Sequence, residues 1–444
     1  MTHTTPTYPR RQRGAAALAV SMVLLFAMTL VAFFANRGII FEQKTAANQM
    51  RSTRAFETAE AGLEWAVAML NDSRVINTSC VAAAGQPTSF RDKYVPAGSP
   101  TNLSPVAGSR PGCRITAAGT APVCNCPTGG ATADFTGTAF NVTTPTDPNF
   151  TVEFSDVPTD PESVVVTAYG CVNQTAPCTA ANNATGDATA RVTVMLKLRP
   201  ILRAAPAAAL TTGGWAQICG SFNITNATAA ANGYLVNSGG QTQIGNGTYS
   251  SGALPAGAPN CGGGGGQTLA TMPGTPIASS IVANDTSLSS ISGSSEAMFS
   301  AFFGTTLAQY IAAPTTYTVT GTSAINRGTN LLAAYALGYR SFWVDGDIQF
   351  SGNATLGSAT QPVVMASASD MTFNGNYDIY GIIYSDSASW NDLGTGTSDI
   401  HGAVVSRVNY RNNGNGTIIY DPLALGNVRD TGPLVRVPGS WRDF

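Results

Sequence analysis

The sequence predicts an α+β, membrane-anchored protein: a long N-terminal helix packed on a small antiparallel sheet, followed by a C-terminal parallel β-solenoid with a helical insertion. Three observations predict it. An uncharged apolar run follows a basic cluster near the N-terminus, all eight cysteines lie beyond that run, and the chain past residue 350 repeats a Gly-centred unit. Only 11% of the 444 residues are charged, less than half of the customary quarter, which argues against an ordinary cytosolic enzyme and against a charged disordered chain. The net charge of -2 leaves no basic excess for a general nucleic-acid surface. The two histidines, His3 and His401, argue against a histidine-based metal site or catalytic triad.

The basic cluster is Arg10, Arg11 and Arg13, and Gly14 closes it. From Ala15 to Ala35 there is no charge; at about 1.5 Å per residue this run reaches roughly 31 Å, enough to cross a hydrocarbon core. The arginines orient it with the N-terminus cytoplasmic. A secretory signal would carry a shorter apolar region and a small-x-small cleavage site, which fit poorly here. Helical spacing then continues through Phe56, Ala59, Leu63, Val67 and Leu70, and no proline falls between Pro9 and Pro87. One helix from about Ala15 to Asn71 is expected, apolar all round at first and amphipathic later. A plain single-span anchor and a helix that also packs into an assembly both satisfy that pattern.

The run from Arg11 to Ala66, with its basic leader, apolar helix and later Arg51, Ala55, Phe56, Ala59, Glu60 and Ala61, resembles the N-terminal domain of PilX-type minor pilins of type IV pili. The resemblance implies cleavage between Gly14 and Ala15 by prepilin peptidase, methylation of the new amino terminus, and use of the apolar helix for assembly. It implies as partners other minor and major pilins, the inner-membrane assembly platform and a tip adhesin, with no cofactor. It also implies residence in the inner membrane, then in the filament at the cell surface. Two positions depart from the general pilin pattern. Ala15 stands where major pilins have Phe, and Ala19 where they have a glutamate that pairs with a neighbouring subunit's amino terminus. Without that carboxylate the subunit is expected at the tip or start of a filament.

Residues 72–203 read as a disulfide-containing, β-rich region, with strands at 150–154 (FTVEF), 163–169 (SVVVTAY) and 190–198 (ARVTVMLKL). The loop 156–162 carries prolines and carboxylates suited to a hairpin turn; it lacks the ligand alternation of a calcium loop. Cys80, Cys113, Cys124, Cys126, Cys171, Cys178, Cys219 and Cys261 would meet an oxidising compartment after export, so up to four disulfides are expected, in one of on the order of a hundred pairings. Zinc is disfavoured because Cys124 and Cys126 are separated by one residue and no second close pair matches them.

Residues 204–444 hold the repeat. Gly352, Gly375, Gly396 and Gly414 are each followed four residues later by Leu356, Ile379, Ile400 and Ile418, at intervals of 23, 21 and 18 residues. Asn353, Asn376 and Asn415 follow three of these glycines. This is the length of one turn of a parallel β-solenoid, with Gly and Asn at corners that need positive φ. The segments 220–225 (GSFNIT) and 234–245 read as further coils, 294–311 as a helical insertion striped by Met298, Phe299, Phe302 and Phe303, and 435–444 as a cap on the last coil.

Solenoids of this kind include glycan-cleaving enzymes, so a membrane-anchored protein that binds or cleaves polysaccharide is the alternative function. Asp345 and Asp347 are expected on one strand face, with Asp370, Asp378, Asp392 and Asp399 in later coils. Single Asp residues at solvent-facing corners satisfy the same pattern without catalysis, and His401 stands where the neighbouring repeat has Tyr380. Trp343, Tyr377, Tyr384, Trp390 and Tyr410 read either as a binding face or as packing. The function expected from the whole is that of a non-enzymatic minor pilin in pilus assembly, supporting motility, adhesion or DNA uptake.

Overall fold

The computed structural model describes residues 13–98, 102–115, 121–135, 147–172, 177–179, 188–228, 233–246, 248–258, 260–261, 266–392 and 396–443. Arg10 and Arg11 of the basic cluster lie outside them. A single helix, Arg13–Asn71, opens the chain. Its second half buries Ala55, Ala59, Leu63, Ala66 and Leu70 against an antiparallel sheet. Phe56 and Val67, expected on that face, are half-buried at its margin, so the stripe is rotated slightly from the sequence reading.

The sheet under the helix has Asn149–Asp156, Ser163–Val172 and Ala188–Leu198 at its centre, all antiparallel. Their alternating Val, Phe and Leu side chains form the core with the helix. Gly112–Arg114 and Val123–Asn125 extend one edge. The other edge is Leu434–Arg436, antiparallel to Ala188–Leu198 with Leu434 opposite Leu198. Thr193 bridges Arg442, and the Trp441 ring meets Phe56 edge-on at 6.3 Å. The expected cap at 435–444 is therefore corrected: this segment returns to the helix-backed sheet, and everything from Arg199 to Pro433 is inserted between two neighbouring strands of it.

Within the insertion, strands at 210–419 pair in parallel, except for the short Tyr249–Ser250, which is antiparallel to Thr242–Ile244. They fall into successive rungs. Thr316–Val319 pairs with Ser341–Val344, then Val363–Ser367, then the second half of Asn376–Ser385, then that of Thr397–Ser406. The last of these pairs with Leu210–Thr212, which pairs with Val236–Ser238, which pairs with Ile281–Val282. The stacking order is thus not the chain order: the rung at 402–419 is followed in space by the rung at 210–226. A second series, Asn353–Leu356, Asn376–Ser385, Thr397–Ser406, Asn415–Ile419, Ser221–Asn226 and Leu269–Thr271, has the same order.

This register explains the repeat. Leu356, Ile379, Ile400 and Ile418 are directly cross-paired, and Ile224 continues their column; all five are at most 4% exposed. A column of glycines lies beside it. A Cβ on Gly375 would sit 1.6 Å from the Gly352 carbonyl oxygen, one on Gly396 1.9 Å from that of Gly375, and one on Gly220 2.4 Å from that of Gly414. Backbones in this column touch, so no side chain fits.

The chain passes from the last rung to the first along a helical strap. At about 4.8 Å between strands the seven steps from Ile281–Val282 to Thr316–Val319 cover roughly 34 Å. Thr286–Ile291, Ser295–Phe303 and Leu307–Ile311 bridge that distance, each started by a side-chain cap from Asp285, Ser294 and Thr306. Asp285 N–H donates to Ser238, Arg407 donates to the Ser292 carbonyl, Phe299 and Phe303 pack on Tyr384, and the Tyr310 hydroxyl donates to the Phe342 carbonyl. These contacts cross the rungs in reverse order. The strap extends beyond the expected 294–311, and a further helix, Ala324–Ala336, packs on Ile348–Phe350.

Two substitutions, with a third as control, test these joints by thermal denaturation of the detergent-solubilised chain. Gly375→Ala is expected to destabilise by about 3 kcal/mol because two backbones must separate, whereas Gly426→Ala, with nothing within 4 Å of its Cβ, leaves stability the same or raises it. The Asn71 side chain donates to the Leu434 carbonyl at 3.0 Å and accepts from the Leu434 N–H at 2.8 Å, both buried. Asn71→Leu leaves both groups unpaired, an expected loss of about 3 kcal/mol, with early proteolytic release of the 434–443 segment.

Candidate assembly helix and the rung face

The first half of the long helix has no core to join. Leu18, Val23, Leu25, Phe26, Val31, Phe33 and Phe34 are all more than half exposed, as are Ile39, Ile40 and Phe41 beyond them. A fully apolar surface of that length is stable in hydrocarbon or against other helices, not in water. No acidic residue occurs in it before Glu42. Gly14 and Ala15 lie at its exposed start, with nothing within 4 Å of a Cβ at Gly14.

The second half is fixed by close approach. A Cβ on Gly170 would lie 2.3 Å from the Ala55 carbonyl oxygen and 2.4 Å from the Ala59 nitrogen, so helix and sheet backbones meet at this point. Only small residues at 55 and 59 permit it. The Ala55, Phe56, Ala59 part of the sequence signature thus has a packing cause: two alanines against Gly170 and a ring against Trp441. Glu60 and Ala61 lie off the buried stripe. Glu64 pairs with Arg436 at 2.6 Å across the helix and the closing strand.

All eight cysteines are in disulfides: Cys80 with Cys126, Cys113 with Cys124, Cys171 with Cys178 and Cys219 with Cys261. The first three staple the sheet and its loops, and the last ties the rung strand Ala216–Ile218 to the long excursion after Tyr249. Among the described residues no group of three or more His, Cys, Asp or Glu is arranged to hold a metal. In the 156–162 loop, Asp160 pairs with Lys197 at 2.8 Å and accepts from Ser163, and Glu162 lies near Lys197 and Arg429. The Lys197 bond, ahead of that from Ser163, holds the Asp160 carboxyl below its ordinary range.

Of the rung carboxylates, the two expected on one strand face do not share one. Asp345 and Asp347 follow the strand Ser341–Val344 at a bend containing Gly346, φ +117°, rather than sharing a strand face. Asp347 accepts from the Ser369 hydroxyl and the Asp370 N–H. Asp378 and Asp399 are cross-strand neighbours on the outer face, as are Tyr380 and His401, whose rings stack at 4.3 Å. That stack places His401 outward in a ladder, where the repeat alignment puts it. The Asp392 side chain lies outside the description.

The aromatic residues weighed as a binding face are packing instead. Trp343 is 7% exposed, and Tyr377, Tyr384, Trp390 and Tyr410 at most 1%. The Trp390 indole donates to the Met371 carbonyl, and Tyr384 donates to Asp386, whose carboxylate is 3.1 Å from Arg407. Burial, then the neighbouring Asp386, pushes the Tyr384 hydroxyl pKa upward. The Asp386–Arg407 pair, which also receives Ser295, was missed in the sequence reading; its two members are 21 residues apart, one repeat interval, and only the register joins them.

No curated protein sequence matches the chain. Among solved structures, the competence-associated pilin ComZ from Thermus thermophilus is similar at 12% identity, over 89% of this chain and 97% of that chain, with a TM-score of 0.23. The family model described as PilX N-terminal matches residues 13–64, the stretch that holds the exposed apolar helix and the Ala55, Phe56, Ala59 contact. Over residues 13–64, the chain is similar to the PilX N-terminal family.

Proposed function

We propose that the protein is a minor pilin of a type IV pilus that acts in filament initiation or at the tip, and that it does so without catalysis. The observation that carries this reading is the division of one helix into an exposed apolar half and a half docked on a sheet, inside the PilX N-terminal match. In this reading Arg10, Arg11 and Arg13 hold the leader in the cytoplasm, prepilin peptidase cuts between Gly14 and Ala15, and the amino group of Ala15 is methylated. Before assembly the chain is a single-pass inner-membrane protein; afterwards it is part of the filament.

The absence of a carboxylate at Ala19 supports the end position. A buried ammonium without a partner costs several kcal/mol, and a subunit lacking the carboxylate does not neutralise its neighbour's. The same subunit is tolerated where no chain lies ahead of it. The insertion is the part displayed: we read its parallel rungs as a β-solenoid carried on the pilin sheet, with small Gly, Ala, Ser and Thr side chains in place of ion pairs.

Intact mass and N-terminal sequencing of protein from sheared pili test the reading. The expected result is a chain starting at a methylated Ala15 and absent from pili of a prepilin peptidase deletion; an unprocessed chain that retains its function refutes it. Tip placement has its own test. Gold labelling of an epitope in an exposed head loop is expected at filament ends only, and label spread evenly along the shaft removes the tip assignment while leaving pilus membership intact.

A further inference from the structure

The four disulfides are not equally placed. In Cys80–Cys126, Cys171–Cys178 and Cys219–Cys261 every member is at most 9% exposed. In Cys113–Cys124 one member, Cys113, is fully buried, while the other, Cys124, is half-buried and meets solvent. The sheet explains the difference. Among the described residues Val123–Asn125 is the outermost strand on its side, and all three of its residues are half-buried, whereas its neighbour Gly112–Arg114 is buried throughout.

The hold on that outer strand is short. Its register with Gly112–Arg114 has three pairs, and Cys113 opposite Cys124 is the middle one; strands of about five or six residues are the norm. The disulfide therefore fastens the strand at its centre. Just beyond, the chain is fastened a second time. Cys126 N–H donates to the Thr78 carbonyl at 2.7 Å, Lys93 Nζ donates to the Cys126 carbonyl at 2.7 Å, and the Tyr94 hydroxyl donates to the Pro127 carbonyl at 2.7 Å. With the buried bond to Cys80, these contacts make Cys126 a fixed point two residues from an exposed one.

We propose that Cys113–Cys124 is a redox-sensitive catch: a dithiol reductant opens it while the other three disulfides stay closed, and Val123–Asn125 then parts from Gly112–Arg114, hinged at Cys126. Exchange requires access to the sulfur that is attacked, and exposed disulfides are the labile ones. The attack therefore falls on Cys124. One thiolate of the dithiol bonds to the Cys124 sulfur, the Cys113–Cys124 bond breaks, and Cys113 leaves as a thiolate. The second thiolate of the dithiol then displaces Cys124 from the mixed disulfide. Two electrons pass to the pair, which ends as two thiols once each thiolate takes a proton, and the dithiol ends as a disulfide. The N–H and C=O groups that Gly112–Arg114 turned toward the departed strand become a free sheet edge. The catch is independent of the pilus role.

The test treats the full chain in detergent with dithiothreitol as the dithiol, quenches samples with iodoacetamide at intervals and maps the labelled peptides by mass. Cys113 and Cys124 are expected to be alkylated together, at least about tenfold faster than any other cysteine. Hydrogen exchange of the chain reduced at this pair is expected to rise in 112–114 and 123–125 and to stay unchanged in 149–156 and 163–172. The double variant Cys113→Ser with Cys124→Ser is expected to show the same exchange pattern without reductant. Another pair opening first, or all four opening together, overturns the proposal. Unchanged exchange in 112–114 and 123–125 once the pair is reduced overturns it as well. The reduction arm uses the native chain and decides the question by itself if the double variant does not fold.

Discussion

The antiparallel pairing of Leu198 with Leu434 is the constraint on which the rest of the structure depends. A sheet in which two hydrogen-bonded neighbours are separated by more than two hundred residues tolerates the insertion only if the legs leave and return within one strand spacing. They do: Arg199 N–H donates to the Pro433 carbonyl at 2.9 Å, and a Cβ on Gly432 would lie 2.0 Å from the Arg199 carbonyl oxygen. A stack built in chain order would begin at one end and finish at the other, some tens of ångströms away. The observed stack begins in its own middle, so the rung that receives the incoming leg touches the rung that releases the outgoing one.

That solution transfers the distance problem elsewhere. Once the first rungs run outward from the middle, the chain must travel the whole length of the stack before laying the remaining rungs back toward its start. Helices suit the task because each satisfies its own backbone hydrogen bonds while crossing strands that have none to spare. Their apolar stripe, Met298, Phe299 and Phe303, seals one flank of the rungs, and Arg407 with Asp386 fastens the strap halfway. The strap therefore contributes both the path and part of the core.

Much of this was legible in the sequence wherever the signal is local. The uncharged run, the long proline-free helix and the three Val-rich strands are set by composition and period, and the structure places them within a few residues. The Gly-to-Ile spacing of four was legible because every rung reuses one corner and one inward position. The stacking order was not, since Gly220 and Gly414 look like members of one list whichever is laid first. The destination of 434–443 was hidden for the same reason: a Pro- and Trp-bearing tail suits a cap, and only pairing at long range shows Leu434 beside Leu198. The aromatic residues at the rungs were ambiguous because Tyr377 and Trp390 have polar tips suited to water; carbonyls of the preceding rung, Ser351 and Met371, accept from them inside.

The low charge follows from the same geometry. In stacked parallel rungs each position lies about 4.8 Å from its like in the next rung, so a charge placed in a repeat meets its copy at that distance and repels it. Asn, Ser and Thr instead bond along the column, as when Asn376 N–H donates to Asn353 and Thr397 N–H to Asn376. Where the stack does carry charge, it breaks the repeat: Asp386 has Arg407, not another Asp, in the adjoining rung. Asp378 beside Asp399 and Asp347 beside Asp370 are exceptions, and one member of each pair is exposed, where water screens the repulsion. The apolar helix is uncharged for a different reason, the solvent around it. A chain that combines the two reaches 11% charge without either part being built from ion pairs.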